Sequence, residues 1–321
     1  MVGFWSQLDD TTEIKRYFYM IDTIIHISLF LVMPPLILGV IAKTKAAFAG
    51  RVGAPFLQPY YDLLRLMRKG TVVSDSTTWL FKAGPAITLA ATLGAGLLVP
   101  LGRHGAPVSF SGDMILFAYL FALGRFFTTI AALDTGSSFE GMGAAREVTF
   151  SCLAEPALFF ALITLTRLSG SYSLTPMLNH VTLSVWWGAG ASLLLMMSGL
   201  FVVLLAENCR IPFDDPTTHL ELTMIHEVMV LDHSGPWFGC ILYGASLKLY
   251  LLGALFLHIA IPLASGNGYL DWGVFVASML LLAMAVGVVE SVMARLRLIR
   301  VPQLLVAATI LTAFSLILAA R

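Results

Sequence analysis

Glu207-Asn208-Cys209-Arg210-Ile211-Pro212-Phe213-Asp214-Asp215-Pro216-Thr217-Thr218-His219-Leu220-Glu221-Leu222-Thr223-Met224-Ile225-His226-Glu227 gathers five acids, one arginine and two histidines in a chain that is only 12% charged. Long apolar runs lie on both sides of it. Hydrocarbon accommodates such a cluster only where its charges are paired, buried in protein or wetted, so the polar chemistry of the chain is expected here. On either side, apolar runs of about twenty residues mark spanning helices. Eight are predicted, at about 21–42, 82–101, 113–133, 145–168, 182–206, 237–263, 272–292 and 302–320. With 58% hydrophobic residues over 321 positions and a mean hydropathy of +0.86, the chain reads as an all-α integral membrane protein. A soluble domain carries about twice the charge.

Lysine and arginine set the orientation. Twelve of the 19 basic residues fall on one set of connections: Lys43, Lys45, Arg51, Arg65, Arg68, Lys69, Lys82, Arg146, Arg210, Arg295, Arg297 and Arg300. The other set holds Lys15, Arg16, Arg103, Arg167 and Arg321, and Arg125 and Lys248 lie within spans. The basic side is therefore expected to be cytoplasmic, with both termini outside. Two long cytoplasmic segments follow from this, an amphipathic loop over 43–81 and the acidic loop over 207–236. Within the first, Gln58 to Lys69 reads as a surface helix with Leu63, Leu64 and Met67 on one face and Gly70 as its stop. The opposite connections are short turns rich in Gly, Pro and Ser.

Several function classes are disfavoured. Net charge is zero, which names no nucleic acid or other polyanion as partner. Asp9, Asp10, Glu13, Lys15 and Arg16 argue against a cleavable signal peptide at the start. No phosphate-binding loop or nucleophile motif is present. Cys152, Cys209 and Cys240 lack CxxC spacing, so they are expected to be inert buried thiols and not cluster or zinc ligands. No internal repeat supports a self-contained secondary transporter.

Ionisable residues at membrane depth are the candidate sites. Glu147 and Glu155 stand eight residues apart, about 12 Å along a helix, and Pro156 opens the turn beside Glu155. Glu207 and Arg210 are spaced to pair at i, i+3. Pro212 is expected to end the fifth span. Asp214 or Asp215 is expected to cap a helix that starts at Pro216 and runs to about Leu231, where Ser234-Gly235-Pro236 breaks the chain. His219, His226 and His233 would then form a protonatable stripe beside Glu221 and Glu227. Their sevenfold spacing is not the i, i+4 of helical metal ligands, so no metal is expected in this chain. Lys248 needs a carboxylate among Glu155, Glu207, Glu227 and Glu290. Arg125 can snorkel or pair with Asp134.

Glu207-x-x-Arg210-x-Pro212-Phe213-Asp214-x-Pro216, then Glu221 and Ser234-Gly235, resembles the signature loop of the eight-helix membrane subunit that forms the quinone chamber of respiratory complex I. The blocks Arg125-Phe126-Phe127, Leu133-Asp134-Thr135-Gly136-Ser137, Gly143-Ala144-x-Arg146-Glu147, Glu155-Pro156, Ser246-Leu247-Lys248 and Glu290-Ser291-x-Met293-Ala294-Arg295-Leu296-Arg297-Leu298 extend the likeness over all eight spans. They are more similar to the branch found in energy-converting group 4 nickel–iron (NiFe) hydrogenases and formate hydrogenlyases. Three departures set the chain apart from complex I subunits, one being a segment between Glu221 and Ser234 that is longer by about three residues. Arg51-Val52-Gly53-Ala54-Pro55 stands in place of Arg-Arg-Gly-Pro, and Thr217 and His219 occupy positions where glutamate is usual.

The resemblance implies a non-catalytic membrane anchor in an oxidoreductase complex of the prokaryotic cytoplasmic membrane. Its partners would be hydrogenase-like large and small subunits, a ferredoxin-like subunit and antiporter-like membrane subunits. NiFe and iron–sulfur clusters would sit in those partners, with no cofactor in this chain. The implied role is to link redox chemistry to H⁺ or Na⁺ translocation through Glu147, Glu155, Glu207, Arg210, Asp214, Glu221, Glu227, Lys248 and Glu290. A carboxylate whose pKa moves by two units changes its protonation free energy by about 2.7 kcal/mol, comparable to moving one charge through about 100 mV. The alternatives are a quinone-reactive subunit of a complex I-like dehydrogenase, against which the departures weigh, and an anchor in a nickel-free hydrogenase-related complex.

Overall fold

The computed structural model describes residues 2–214, 224–262 and 265–320, with side chains from Tyr19 onward. Among the described residues the protein is all helical. The helices are α1 (Val2–Phe48), α2 (Gln58–Met67), α3 (Trp79–Leu98), α4 (Asp113–Asp134), α5 (Ser138–Ser169), α6 (Leu174–His180), α7 (Leu183–Glu207), α8 (Gly235–Ala260), α9 (Gly268–Val292) and α10 (Val301–Ala319). Eight segments are long and apolar enough to cross a membrane: Tyr19–Phe48, Trp79–Leu98, Asp113–Asp134, Ser138–Ser169, Leu183–Glu207, Gly235–Ala260, Gly268–Val292 and Leu298–Ala319. The eight expected spans are all present. The protein is a multi-pass integral membrane protein.

Helix α8 is the centre of the bundle. In its most apolar stretch 67% of residues are buried, against 28% for the peripheral α10. It packs on α1, α3 and α7, while α10 lies against α5 and α7, and α9 against α1. Small residues allow close approach where lipid supplies no hydrophobic drive. A Cβ on Gly84 of α3 would lie 2.6 Å from the Ala131 Cβ on α4, so only glycine fits. Beside it, Thr88 Oγ1 donates to Gly124 O across the same interface at 2.9 Å.

Alternation of the spans puts Phe48, Asp134, Glu207 and Val292 at one end, called here the polar end, and Asp113, Leu183 and Gly268 at the far end. At the polar end, Asp134 accepts from the amide and hydroxyl of Thr78 at 2.7 and 2.8 Å, tying the start of α3 to the end of α4. Helix α2 lies across this end, with Leu66 and Met67 against Gly239 of α8. Leu64 is exposed, so the expected face of Leu63, Leu64 and Met67 is rotated toward Leu63 and Leu66.

Two local expectations are corrected and one holds. Helix α5 begins at Ser138, seven residues before the predicted 145, because Glu140 is buried against protein and accepts from Asp232 N at 3.1 Å. Ser234-Gly235-Pro236 separates the preceding turn from α8, as expected, and Pro236 sits in the first turn of α8, where its missing amide costs nothing. The predicted helix 216–231 is not continuous. Met224–His226 is irregular and Glu227–Val230 a single 3-10 turn, held instead by tertiary bonds. The helix start at Pro216, with His219 and Glu221, falls within 215–223 and lies outside the described residues. Short helix α6 has no counterpart among the expected elements, being shorter than any window that hydropathy can register.

Candidate functional site

Four helices each contribute one charged side chain to a cluster at membrane depth. Arg125 of α4 reaches Glu155 of α5 at 2.6 Å and Glu207 of α7 at 3.2 Å. Lys248 of α8 reaches the same Glu207 oxygen at 2.7 Å. Two cations and two carboxylates cancel, the condition under which charge persists in a low-dielectric interior. Glu207 is shared by both cations and its side chain is 6% exposed, whereas that of Glu155 is 38% exposed. The arrangement corrects two expected pairings. Arg125 does not meet Asp134, which binds the start of α3, and Glu207 does not pair with Arg210. The chain reverses directly after α7, with Cys209 at φ 48°, and this swings Arg210 away.

Arg210 turns to Glu290 of α9 at 3.4 Å, and Lys45 of α1 reaches the other Glu290 oxygen at 2.9 Å. The Glu290 side chain is fully buried. Asp214 pairs with Arg295 at 2.7 Å and accepts from Ile225 N at 2.8 Å. Pro212, which follows a cis peptide bond, accepts from Leu296 N at 2.9 Å. These contacts strap the segment 210–214 to the connection between α9 and α10. On the other side, Arg146 donates to Met224 O at 2.9 Å. In the sequence Lys45 and Arg295 bear only on orientation, and nothing in their local spacing names their partners.

Two cavities join these groups. A small one of about 70 Å³ is lined by Thr88, Arg125, Glu147, Glu207, Cys209, His226 and Lys248. A larger one of about 350 Å³ lies between α1, α2 and α8. It is lined by apolar Leu38, Ala42, Phe238 and Ile241 and by polar Gln58, Asp62, Arg210, Asp214, His226 and Glu227, with Cys209. Both can hold water, which needs only about 10–15 Å³ and a few polar partners. Cys209 and His226 line both, so they stand at the junction between the loop and the membrane cluster.

Glu147, Cys209 and His226 bring their ligand atoms within 4.8 Å of one another. The Cys209 thiol is pushed well up by burial and by the nearby Glu147 and Asp214 carboxylates. Burial pushes His226 down from the ordinary histidine range, which favours its neutral form. Cys209 thus lines the site, its raised pKa in keeping with the expected inert thiol, whereas Cys152 is exposed on the bundle surface and not buried as expected. The expected histidine stripe is not formed by its described members. His226 faces the cavities, while His233 stacks on Phe81 with ring centroids 3.9 Å apart and donates to Phe81 O at 3.2 Å.

Comparison with known proteins places this architecture. The family model described as NADH dehydrogenase matches residues 21–320. Formate hydrogenlyase subunit 4 of Escherichia coli (strain K12) is 30% identical over 279 residues, covering 84% of this chain and 89% of that protein. Hydrogenase-4 component C of the same organism is 30% identical over 234 residues, 73% of each chain. A subunit of the NADH-quinone oxidoreductase of Anaplasma phagocytophilum (strain HZ) is 29% identical over 215 residues, covering 62% of this chain and 61% of that one. A chain in the solved structure of the membrane-bound sulfane sulfur reductase, an archaeal respiratory membrane complex, shares the fold. It superposes with a TM-score of 0.79 at 20% identity, over 94% of this chain and 99% of that one.

Proposed function

The chain belongs to the NADH dehydrogenase family and is a membrane subunit of a complex I-like energy-converting complex, and from that premise we propose that it anchors a peripheral hydrogenase-like module and couples its redox chemistry to H⁺ or Na⁺ movement. In this reading the polar end faces the cytoplasm of a prokaryote, as the lysine and arginine distribution favours. The peripheral partners are large, small and ferredoxin-like subunits that carry the nickel–iron and iron–sulfur centres, and the lateral partners are antiporter-like membrane subunits.

The observation that carries the proposal is the sharing of Glu207 between Arg125 and Lys248, beside a cavity that reaches Cys209 and His226. A carboxylate held by two cations can release one and keep the other. A charge change in the loop segment 210–214 is therefore transmitted to Arg125 and Glu155 without an unpaired ion being left in the membrane. Glu147, on the same helix as Glu155, faces both the junction and the Arg125 side. Glu227 lines the larger cavity, and Glu221 is proposed as its companion on the acidic loop.

The test is turnover and ion uptake measured separately in membrane vesicles holding the intact complex. In Glu207→Gln and Glu155→Gln, ion uptake per turnover is expected to fall roughly tenfold or more, the scale of losing a positioned proton-transfer group. Electron transfer should persist. Variants that keep the wild-type ratio of uptake to turnover would show that the cluster is structural only.

A second reading has its own support. The larger cavity lies in the range of about 300–1,000 Å³ usual for small-molecule sites, and its mixed lining of apolar and polar side chains suits a molecule with a polar ring and an apolar tail. A quinone-reactive role would be supported by a quinone extracted in stoichiometric amount with the purified complex.

A further inference from the structure

We propose that Glu147, Cys209 and His226 form a binding site for one divalent transition-metal ion of the zinc type. The inference stands apart from the coupling role, because it concerns which ion these three side chains hold and not what the complex pumps.

The three residues come from separate segments: α5, the reversal after α7, and the turn before Glu227. Their ligand atoms lie within 4.8 Å of one another. Tetrahedral zinc holds thiolate at about 2.3 Å and imidazole or carboxylate at about 2.0–2.2 Å, so bound ligand atoms stand about 3.5 Å apart. Rotation about the side-chain bonds of Glu147 and Cys209 is enough to close that gap. No close hydrogen bond or ion pair holds any of the three side chains among the described residues, although Arg125 attracts Glu147 from a longer range. That sets them apart from the surrounding acids. Glu155 and Glu207 are held by Arg125 and Lys248, and Asp214 by Arg295.

Charge also fits. The neighbouring cations Arg125 and Lys248 are paired with Glu155 and Glu207, and Glu147 adds to the negative field at Arg125. A dication bound to one thiolate and the Glu147 carboxylate forms a neutral unit, which removes the main electrostatic obstacle to its burial. Binding displaces the thiol proton to solvent through the cavity, one proton leaving for each ion bound. The donor set is selective, since thiolate and imidazole favour zinc-like ions over magnesium or calcium. Three protein ligands beside a cavity of about 70 Å³ leave the fourth position for water, the form of an open zinc site.

The experiment uses the intact purified complex, washed with chelator and equilibrated with Zn²⁺ in a metal buffer. Zinc per complex is counted by elemental mass spectrometry, and its ligands are read by X-ray absorption at the zinc edge. Wild type is expected to retain one more zinc per copy of this chain than Cys209→Ser, with one sulfur neighbour at about 2.3 Å. Glu147→Gln and His226→Gln are expected to weaken zinc retention at least about tenfold. Only variants with wild-type subunit stoichiometry are scored. Equal zinc in wild type and Cys209→Ser overturns the proposal. So does a wild-type complex that retains no zinc with a sulfur neighbour, whether or not any variant assembles.

Discussion

The two ends of the bundle satisfy their polar groups in opposite ways. At the far end the buried polar groups meet mostly backbone amides and carbonyls or neutral side chains. Asp113 accepts from Leu174 N at 2.6 Å and Ser173 Oγ at 2.7 Å. His26 donates to Gly96 O at 3.1 Å, Arg103 to Val181 O at 2.9 Å and Trp186 to Ile259 O at 3.0 Å. Towards the polar end, anions are shared: Glu207 between Arg125 and Lys248, Glu290 between Lys45 and Arg210. A backbone carbonyl or amide is fixed in place, so a far-end bond that breaks leaves an orphan. A shared carboxylate can trade one partner for the other. The far end is therefore held mainly by fixed backbone partners, and the polar end by carboxylates shared between cations.

The largest effect expected from this difference lies at Arg125. Arg125→Met removes the cation common to Glu155 and Glu207, leaving Glu155 without the ion pair it makes and Glu207 with Lys248 alone. Removing one partner from a buried ion pair costs about 3–5 kcal/mol. Assembled complex in the membrane should fall sharply, as read by the yield of co-purified subunits. Near wild-type assembly would mean that water already screens the cluster and that it is not a dry ion-pair network.

Asp113→Asn examines the far end. The carboxylate accepts from Leu174 N on one oxygen and from Ser173 Oγ and Phe110 N on the other. Asparagine keeps one carbonyl oxygen and presents an amide in place of the second, so a buried donor loses its acceptor at about 1–3 kcal/mol. The midpoint of thermal inactivation should drop while ion uptake per turnover stays at the wild-type ratio. A changed ratio would break the comparison, because it would place the far end in the coupling path.

How much of this is legible in the sequence follows from the range of each interaction. Spans are properties of twenty consecutive residues, so hydropathy alone locates all eight, and Glu155, Glu207 and Lys248 stand out as charges within apolar runs. Pairings are tertiary. Glu207 and Arg210 have the spacing of a helical pair, yet the helix ends between them and the left-handed Cys209 turns the chain. Arg125 and Asp134 share α4, but Asp134 is claimed by Thr78 at the start of α3. The place of Cys209 is invisible in sequence because three groups from three segments leave no spacing signature. A helix over 216–231 rests on proline and acid punctuation. In its described part, Met224 to Leu231 instead follows outside partners, with Arg146 holding Met224 O and Asp214 holding Ile225 N.

The smallest expected effect belongs to His233, which sits at the polar end but is satisfied in the manner of the far end. It is buried, stacked on Phe81, and donates to a single backbone carbonyl. Burial holds its pKa below the ordinary histidine value of 6.5. The unfolded chain therefore takes up a proton more readily than the folded one as the solution is acidified. Stability from this group is fully present above about pH 6.5 and is lost as pH falls through the lowered folded value. In His233→Gln the side-chain amide can donate the same bond without titrating. The midpoint of thermal inactivation of wild type should drop relative to His233→Gln as pH falls below about 6.5, and the two should track each other above it. Curves that stay parallel on acidification would mean that His233 charges without penalty, by changing partners as the shared anions do. Sharing would then be a property of the whole polar end, and not only of Glu207 and Glu290.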